Sequence, residues 1–177
     1  MLSCSAEAPN IGERYRRGVF REALPADFDA IARLYGQLNP DDPPVIERAL
    51  FATILGADGL RLFVLEQHGS VVATTYLNLI PNLTRGARPY AVVENVVVDE
   101  AYRGEGLGKA VMAGTLHAAW AAGAYKAMLM TGSSRASTHA FYRACGFAGD
   151  VKTAYVAHPA RADGSASTSL RPSSSNG

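Results

Sequence analysis

The stretch Val96–Lys109, VVVDEAYRGEGLGK, decides how this chain is read. It passes from a β-branched strand through a turn into three glycines at alternate positions, Gly104, Gly106 and Gly108, and then into helical sequence. Glycines at a helix start let backbone approach a ligand closely, and the unpaired N–H groups there favour an anion. Arg103 and Lys109 flank the glycines with positive charge. A glycine-rich turn with no ligand is the structural alternative, but glycines and cations gathered this tightly cost stability without a use.

Three phosphate loops compete for this stretch. A Walker A loop needs G-x-x-x-x-G-K-[ST]; Gly108 and Lys109 fit its end, but Arg103 and Ala110 fail its first and last positions. A dinucleotide fingerprint needs G-x-G-x-x-G; Gly104 and Gly106 fit, but Lys109 stands at the third position. The pattern [RQ]-x-x-G-x-[GA] is satisfied throughout by Arg103 to Gly108.

Outward from this loop, YAVVENVVVD before it is apolar and β-branched, the pattern of a strand buried on both faces. After it, Leu107, Ala110, Val111, Gly114 and Ala118 recur at core-facing helical spacing as far as about Ala122, where Gly123 ends the helix. YKAMLMTG, Tyr125–Gly132, reads as another buried strand, and SRASTHAFYRAC as a helix with Ser134 as N-cap and Gly146 beyond its end. KTAYVAH reads as a closing strand. Upstream, VFREA is a first strand, and Phe28, Ile31, Leu34, Tyr35 and Leu38 mark one face of a helix that Pro25 opens. VIERALFATIL is a second short helix ending near Gly56, and Arg61–Gln67 turns at His68-Gly69-Ser70 into the strand Val71–Ile80. The order β-α-α-β-β-β-α-β-α-β makes a mixed α/β sheet with one clear βαβ crossover.

A chain of 177 residues favours one domain, expected over residues 19–159, with a disordered N-terminal arm over 1–18 and a polar Ser/Gly/Pro tail over 160–177. The net charge of +1 gives no electrostatic pull toward nucleic acid or membrane, and RYRR in the arm is too short for a nucleic-acid patch. No apolar run spans a bilayer and the start lacks a secretory layout, so a cytoplasmic protein is expected. Two cysteines, Cys4 and Cys145, make neither a disulfide framework nor a metal set, and no metal is expected.

Three segments together make the chain recognisable: ENVVVD, RGEGLGK and HAFYRACGF. They resemble the GNAT superfamily of acyl-CoA-dependent N-acyltransferases, most like glucosamine-6-phosphate N-acetyltransferases and other small-amine enzymes. The resemblance implies a mostly antiparallel sheet with a central V-shaped splay between two parallel strands and helices on both faces. It also implies acetyl-CoA as cosubstrate. The pyrophosphate would sit on Arg103, Gly104, Glu105, Gly106, Leu107, Gly108 and Lys109, and the pantetheine arm would pair with Val96, Val97 and Val98. Family members often carry an asparagine where this chain has Arg135, so Thr138 or Ser137 would supply that pantetheine contact, or Arg135 would reach the phosphates.

Acetyl transfer needs a neutral amine and benefits from a proton for the departing thiolate. By the resemblance, Tyr142 is the general acid; the alternative is a core tyrosine, as Phe141 beside it is expected to be. Glu94 lies in the buried strand, where a carboxylate is costly unless paired or used, and is the expected base. Its alternative is a salt bridge to Arg85 or Arg88, while Asn95 could bond across the splay. Arg85 and Arg88, in the loop leading into the strand, are candidates to clamp an anionic group on the acceptor, with solvated arginines the alternative. Tyr76 and Tyr35 are candidate pocket walls. His139 reads as a partly exposed helix histidine and Cys145 as a core residue without a paired base. The expected function is acetyl transfer to a small primary amine by direct attack in a ternary complex. A protein lysine or N-terminal acetyltransferase and a non-catalytic acyl-CoA-binding module are the alternatives. Dimerisation is left open, although similar proteins often form homodimers.

Overall fold

The computed structural model describes residues 18–41 and 44–159. Expectations for the N-terminal arm up to residue 17 and for the tail from 160 fall outside the described residues. Five strands form one sheet in chain order: β1 (Val19–Glu22), β2 (Leu60–Gln67), β3 (Ser70–Ile80), β4 (Tyr90–Val98) and β5 (Ala127–Met128). All neighbours are antiparallel except β4 and β5, which are parallel. The β2–β3 connection is a two-residue turn in which His68 and Gly69 both have positive φ, the geometry that matches strand twist.

Helices cover both faces. On one side α1 (Phe28–Leu38) and α2 (Arg48–Leu55) bury Ile31, Leu34 and Phe51 against Leu62, Val64 and Val97. On the other, α3 (Leu107–Ala121) buries Met112 and Ala119 against Phe63, Leu77 and Val93, and Leu107 and Val111 against Leu65 and Ala73. The final helix, α4 (Ala136–Ala144), adds Tyr142 to this second face, joined by Cys145 and Phe147 just beyond it. Pro25 opens a short 3-10 turn, Pro25–Asp27, whose Asp27 accepts hydrogen bonds from the Leu24 amide (2.7 Å) and Arg21 (2.6 and 2.9 Å), fixing the entry to α1.

The strand β4 is not buried on both faces throughout. Val97 pairs with Thr74 and Glu94 with Tyr76, so β4 spends one residue more than β3 across this interval. This is a β-bulge, and Asn95 within it has φ +50°. The extra residue reverses the alternation of side chains. Ala91 and Val93 are buried toward α3, whereas beyond the bulge Val97 is buried toward α1.

Two expected strands differ. Tyr125–Gly132 contributes only Ala127 and Met128 to the sheet, and the chain then leaves β4. The segment 152–158 forms no strand, and its Tyr155 is 92% exposed. A two-residue β5 offers no ladder long enough to template it, and strand propensity without a partner edge forms no sheet. The short helix α2 begins at Arg48, not at Val45, and the N-cap of α4 is Arg135, not Ser134.

Candidate active site

The β4–β5 ladder holds only Ala91 opposite Ala127 and Val92 opposite Met128. Past that point the strands part, and a cavity of about 260 Å³ occupies the gap. Val93, Glu94, Asn95 and Val96 line it from β4, residues 129–132 from the chain leaving β5, Leu38 and Asn39 from the end of α1, and Tyr142 from α4. Two residues far apart in sequence, Glu94 and Tyr142, therefore share one cavity.

The Tyr142 ring is held by Phe141 (centroids 5.1 Å apart) and Phe147 (6.3 Å). Burial pushes its phenol above the ordinary tyrosine value, and neighbouring Cys145 and the charge of Glu94 push the same way. The group is thus kept protonated at neutral pH, the state a proton donor requires. Glu94 sits in register with Tyr76 of β3, half-buried. Among the described residues no lysine or arginine forms an ion pair with it, Arg85 and Arg88 included.

Next to Glu94, the Asn95 side chain faces the phenol of Tyr35 on α1 and favours its ionised form. Burial pushes that phenol up to about 12, with Asn95 opposing and Tyr76 adding to the rise. Tyr76 is itself raised by burial. The bulge thus lies beside α1, whose last residues form a wall of the cavity. Of the two tyrosines expected as walls, neither lines the cavity directly; Tyr35 stands beside Asn95, and Tyr76 beside Glu94.

The glycine loop lies at the start of α3. Gly104 (φ +88°) and Gly106 (φ +82°) adopt the left-handed region, and nothing lies within 4 Å of a Cβ built on Gly104. Gly106 caps the helix, and the first intrahelical bond runs from the Ala110 amide to its carbonyl (3.2 Å). The amides of Leu107, Gly108 and Lys109 precede that bond, so the helix cannot pair them itself. Gly108 has a different reason for being glycine. A Cβ there would lie 3.1 Å from Cε2 of Phe141 and 3.4 Å from Cγ2 of Val98. Arg103 folds back so that its Nε donates to the Val98 carbonyl (3.2 Å), fastening the loop to the end of β4.

What sequence reasoning missed is Asp99. Its buried carboxylate accepts from Arg33 of α1, from the Ala101 amide (3.1 Å) and from Gln37 (3.5 Å). Gln37 in turn accepts from the Glu100 amide at 2.9 Å. Burial alone would raise the Asp99 carboxyl, but its donors, Arg33 foremost, hold it below the usual carboxylate range. Asp99 caps the 3-10 turn Glu100–Tyr102 that carries the chain into the glycine loop. The signal was present, an Asp directly after a valine run and two residues before the amide it caps, but its partners on α1 lie more than sixty residues away.

Three other candidate residues have the following places in the structure. Arg88 donates to the carbonyls of Gly123 (3.3 Å) and Ala124 (3.4 Å) at the end of α3, where freed carbonyls attract a cation, and does not line the cavity. Arg85 sits in the exposed loop with φ +57°, also off the cavity. Thr138 accepts from the Ser133 hydroxyl at 3.2 Å, and that hydroxyl also accepts from the Arg135 amide at 3.3 Å. Among the described residues no group of three or more His, Cys, Asp or Glu could hold a metal, and no helix is long and apolar enough to cross a membrane.

A parallel strand pair thus parts over a cavity beside a glycine-led helix start, the arrangement that the family resemblance led one to expect. The chain belongs to the Acetyltransferase (GNAT) family, whose model matches residues 28–147. It is 32% identical over 126 residues to glucosamine 6-phosphate N-acetyltransferase of Trypanosoma brucei brucei, covering 69% of this chain and 83% of that protein. A solved Agrobacterium tumefaciens protein described as an acetyltransferase is 43% identical with a TM-score of 0.76, covering 80% of this chain and 99% of its own. Glucosamine-6-phosphate N-acetyltransferase of Arabidopsis thaliana shares the fold at a TM-score of 0.67 and 23% identity, covering 80% of this chain and 97% of its own. The family uses acetyl-CoA as cosubstrate and an amine as acceptor. The open loop at Gly104 and the unpaired helix-start amides suit the anionic end of such a thioester.

Proposed function

We propose that this enzyme moves the acetyl group of acetyl-CoA to the primary amine of a small molecule, by direct attack within a ternary complex. The observation that carries the reading is the meeting of Glu94 and Tyr142 on one cavity where β4 and β5 part. The loop Arg103–Lys109 holds the pyrophosphate on its amides, and the pantetheine arm pairs with the free edge of β4 along Val96–Val98. Glu94 takes a proton from the ammonium group, directly or through water, and the neutral amine attacks the thioester carbonyl. As the tetrahedral intermediate collapses, the C–S bond breaks, the departing sulfur takes the phenol proton of Tyr142, and the new amide loses its second N–H proton to solvent. Tyr142 regains its proton from solvent, and Glu94 releases the one it took to solvent. A backbone N–H of the bulged strand is available to the developing oxyanion.

Cys145 is not the nucleophile in this reading. Burial raises its thiol, with Lys109 only partly opposing, so the thiolate is scarce at neutral pH. The exposed apolar residues Val151, Tyr155 and Val156 support a homodimer, which light scattering on the full chain reads directly. The reading is tested by thiol release from acetyl-CoA across a panel of small amines and lysine peptides. Saturation with intersecting initial-rate lines is expected for small amines. Parallel lines would point to an acyl-enzyme, preference for peptides to a protein acetyltransferase, and tight acetyl-CoA binding without turnover to a non-catalytic module.

A further inference from the structure

We infer that the acceptor is a small primary amine with an uncharged body, in contrast to the sugar phosphate named for the curated relative. The inference deepens the N-acetyltransferase reading and rests on it.

The cavity walls carry the argument. Among the described lining residues, Glu94 is the one charged side chain, and it is an anion. The polar groups around it are neutral: the amides of Asn39 and Asn95 and the hydroxyl of Thr131. Leu38, Leu129 and Met130 supply apolar surface. Arg85, in its exposed loop, lies off the cavity, and four other arginines are committed elsewhere. Arg88 holds the carbonyls at the end of α3, Arg33 holds Asp99 and the Val71 carbonyl (3.2 Å), Arg103 holds the Val98 carbonyl, and Arg48 holds Asp29 (2.8 Å).

An ammonium group is attracted by Glu94, and a hydroxyl-bearing body matches carboxamides that both donate and accept. A phosphate on the same body meets the opposite situation. It would bring a second anion into a cavity of about 260 Å³ beside Glu94, with neutral groups as its neighbours. Like charges placed together are strongly discriminating, and a desolvated phosphate without a cation is costly.

The test uses the wild-type chain and amines matched in pairs: glucosamine with glucosamine-6-phosphate, and ethanolamine with phosphoethanolamine. Thiol release from saturating acetyl-CoA gives kcat/KM for each. The neutral partner is expected to exceed the phosphorylated one by about tenfold or more, the factor of one unfavourable charge contact of modest size. Asn39 is exposed and tolerates a longer side chain, so Asn39→Arg is expected to shift the ratio toward the phosphorylated partner by about tenfold. Equal rates within a pair, or preference for the phosphorylated amine, overturn the inference while leaving acetyl transfer to small amines standing. An unmoved ratio in Asn39→Arg overturns the placing of the acceptor body against α1. Acetyl-CoA binding with neither member of any pair acetylated removes the underlying reading, and the inference with it.

Discussion

Removing one oxygen atom tests the proton-donor assignment. In Tyr142→Phe the ring stays between Phe141 and Phe147, whose centroids lie 5.1 and 6.3 Å from its own, so packing is retained. Stability should therefore change by no more than about 0.5 kcal/mol. The hydroxyl's proton is lost from the cavity, and burial together with Glu94 ensures that it was present at neutral pH. General acid help amounts to roughly 10²–10⁴-fold, and at ~1.4 kcal/mol per decade the lower half of that range is about 2.7–4 kcal/mol of barrier. The expected result is a kcat lower by 10²- to 10³-fold (order of magnitude) with unchanged acetyl-CoA affinity, read by thiol release and by calorimetry. The deficit should shrink for an acetyl thioester whose thiol is more acidic, since such a leaving group needs no proton. A kcat within threefold of wild type, or a deficit independent of leaving-group acidity, would refute the reasoning.

Asp99→Asn should destabilise the chain by about 2 kcal/mol by weakening a buried set of charge-assisted bonds. Because the folded carboxyl is depressed, its stabilisation is present at neutral pH and is lost as pH falls from its unfolded value near ~3.9 through the lower folded one. The Tm difference from wild type should accordingly narrow in acid; a difference that is constant from pH 7 to pH 3 would contradict the assignment. Gly106→Ala forces a side chain into φ +82° at a cost of about 1–2 kcal/mol, and should raise the KM for acetyl-CoA about tenfold while sparing kcat. Cys145→Ser should keep kcat within about threefold and leave no loss of a covalent intermediate to detect by mass spectrometry; a collapse in kcat with the fold intact would revive the thiol as nucleophile.

The glycine loop and the helix around it were legible because their signals are local. Gly104 and Gly106 announce positive φ, and Leu107 and Val111 keep helical period through a buried face. The parting of β4 from β5 was legible only through family resemblance. By composition YKAMLMTG is a full strand, and nothing within it says that the ladder stops at Met128. The bulge at Asn95 was hidden for a related reason. ENVVV alternates or not depending on one extra residue in the pairing, and pairing is a property of two strands. Asp99 and Arg88 illustrate the remaining gap. A charged side chain in a loop finds its partner through the tertiary fold, and for both residues that partner belongs to another element.

Gly108 sets the separation between two parts that the chain makes independently. Its missing methyl lets the ring of Phe141 rest against the first turn of α3, and Tyr142 follows Phe141 directly. In the proposed mechanism the residue is a spacer between the loop that would hold the cosubstrate's phosphates and the hydroxyl that would protonate its sulfur. Pantetheine spans a limited distance, so these two ends would have to lie within its reach, and one hydrogen in place of a methyl helps to set that gauge. Enlarging the cavity for longer acyl groups without disturbing that gauge leaves the wall of residues 129–132 as the place to cut, since it is part of neither end.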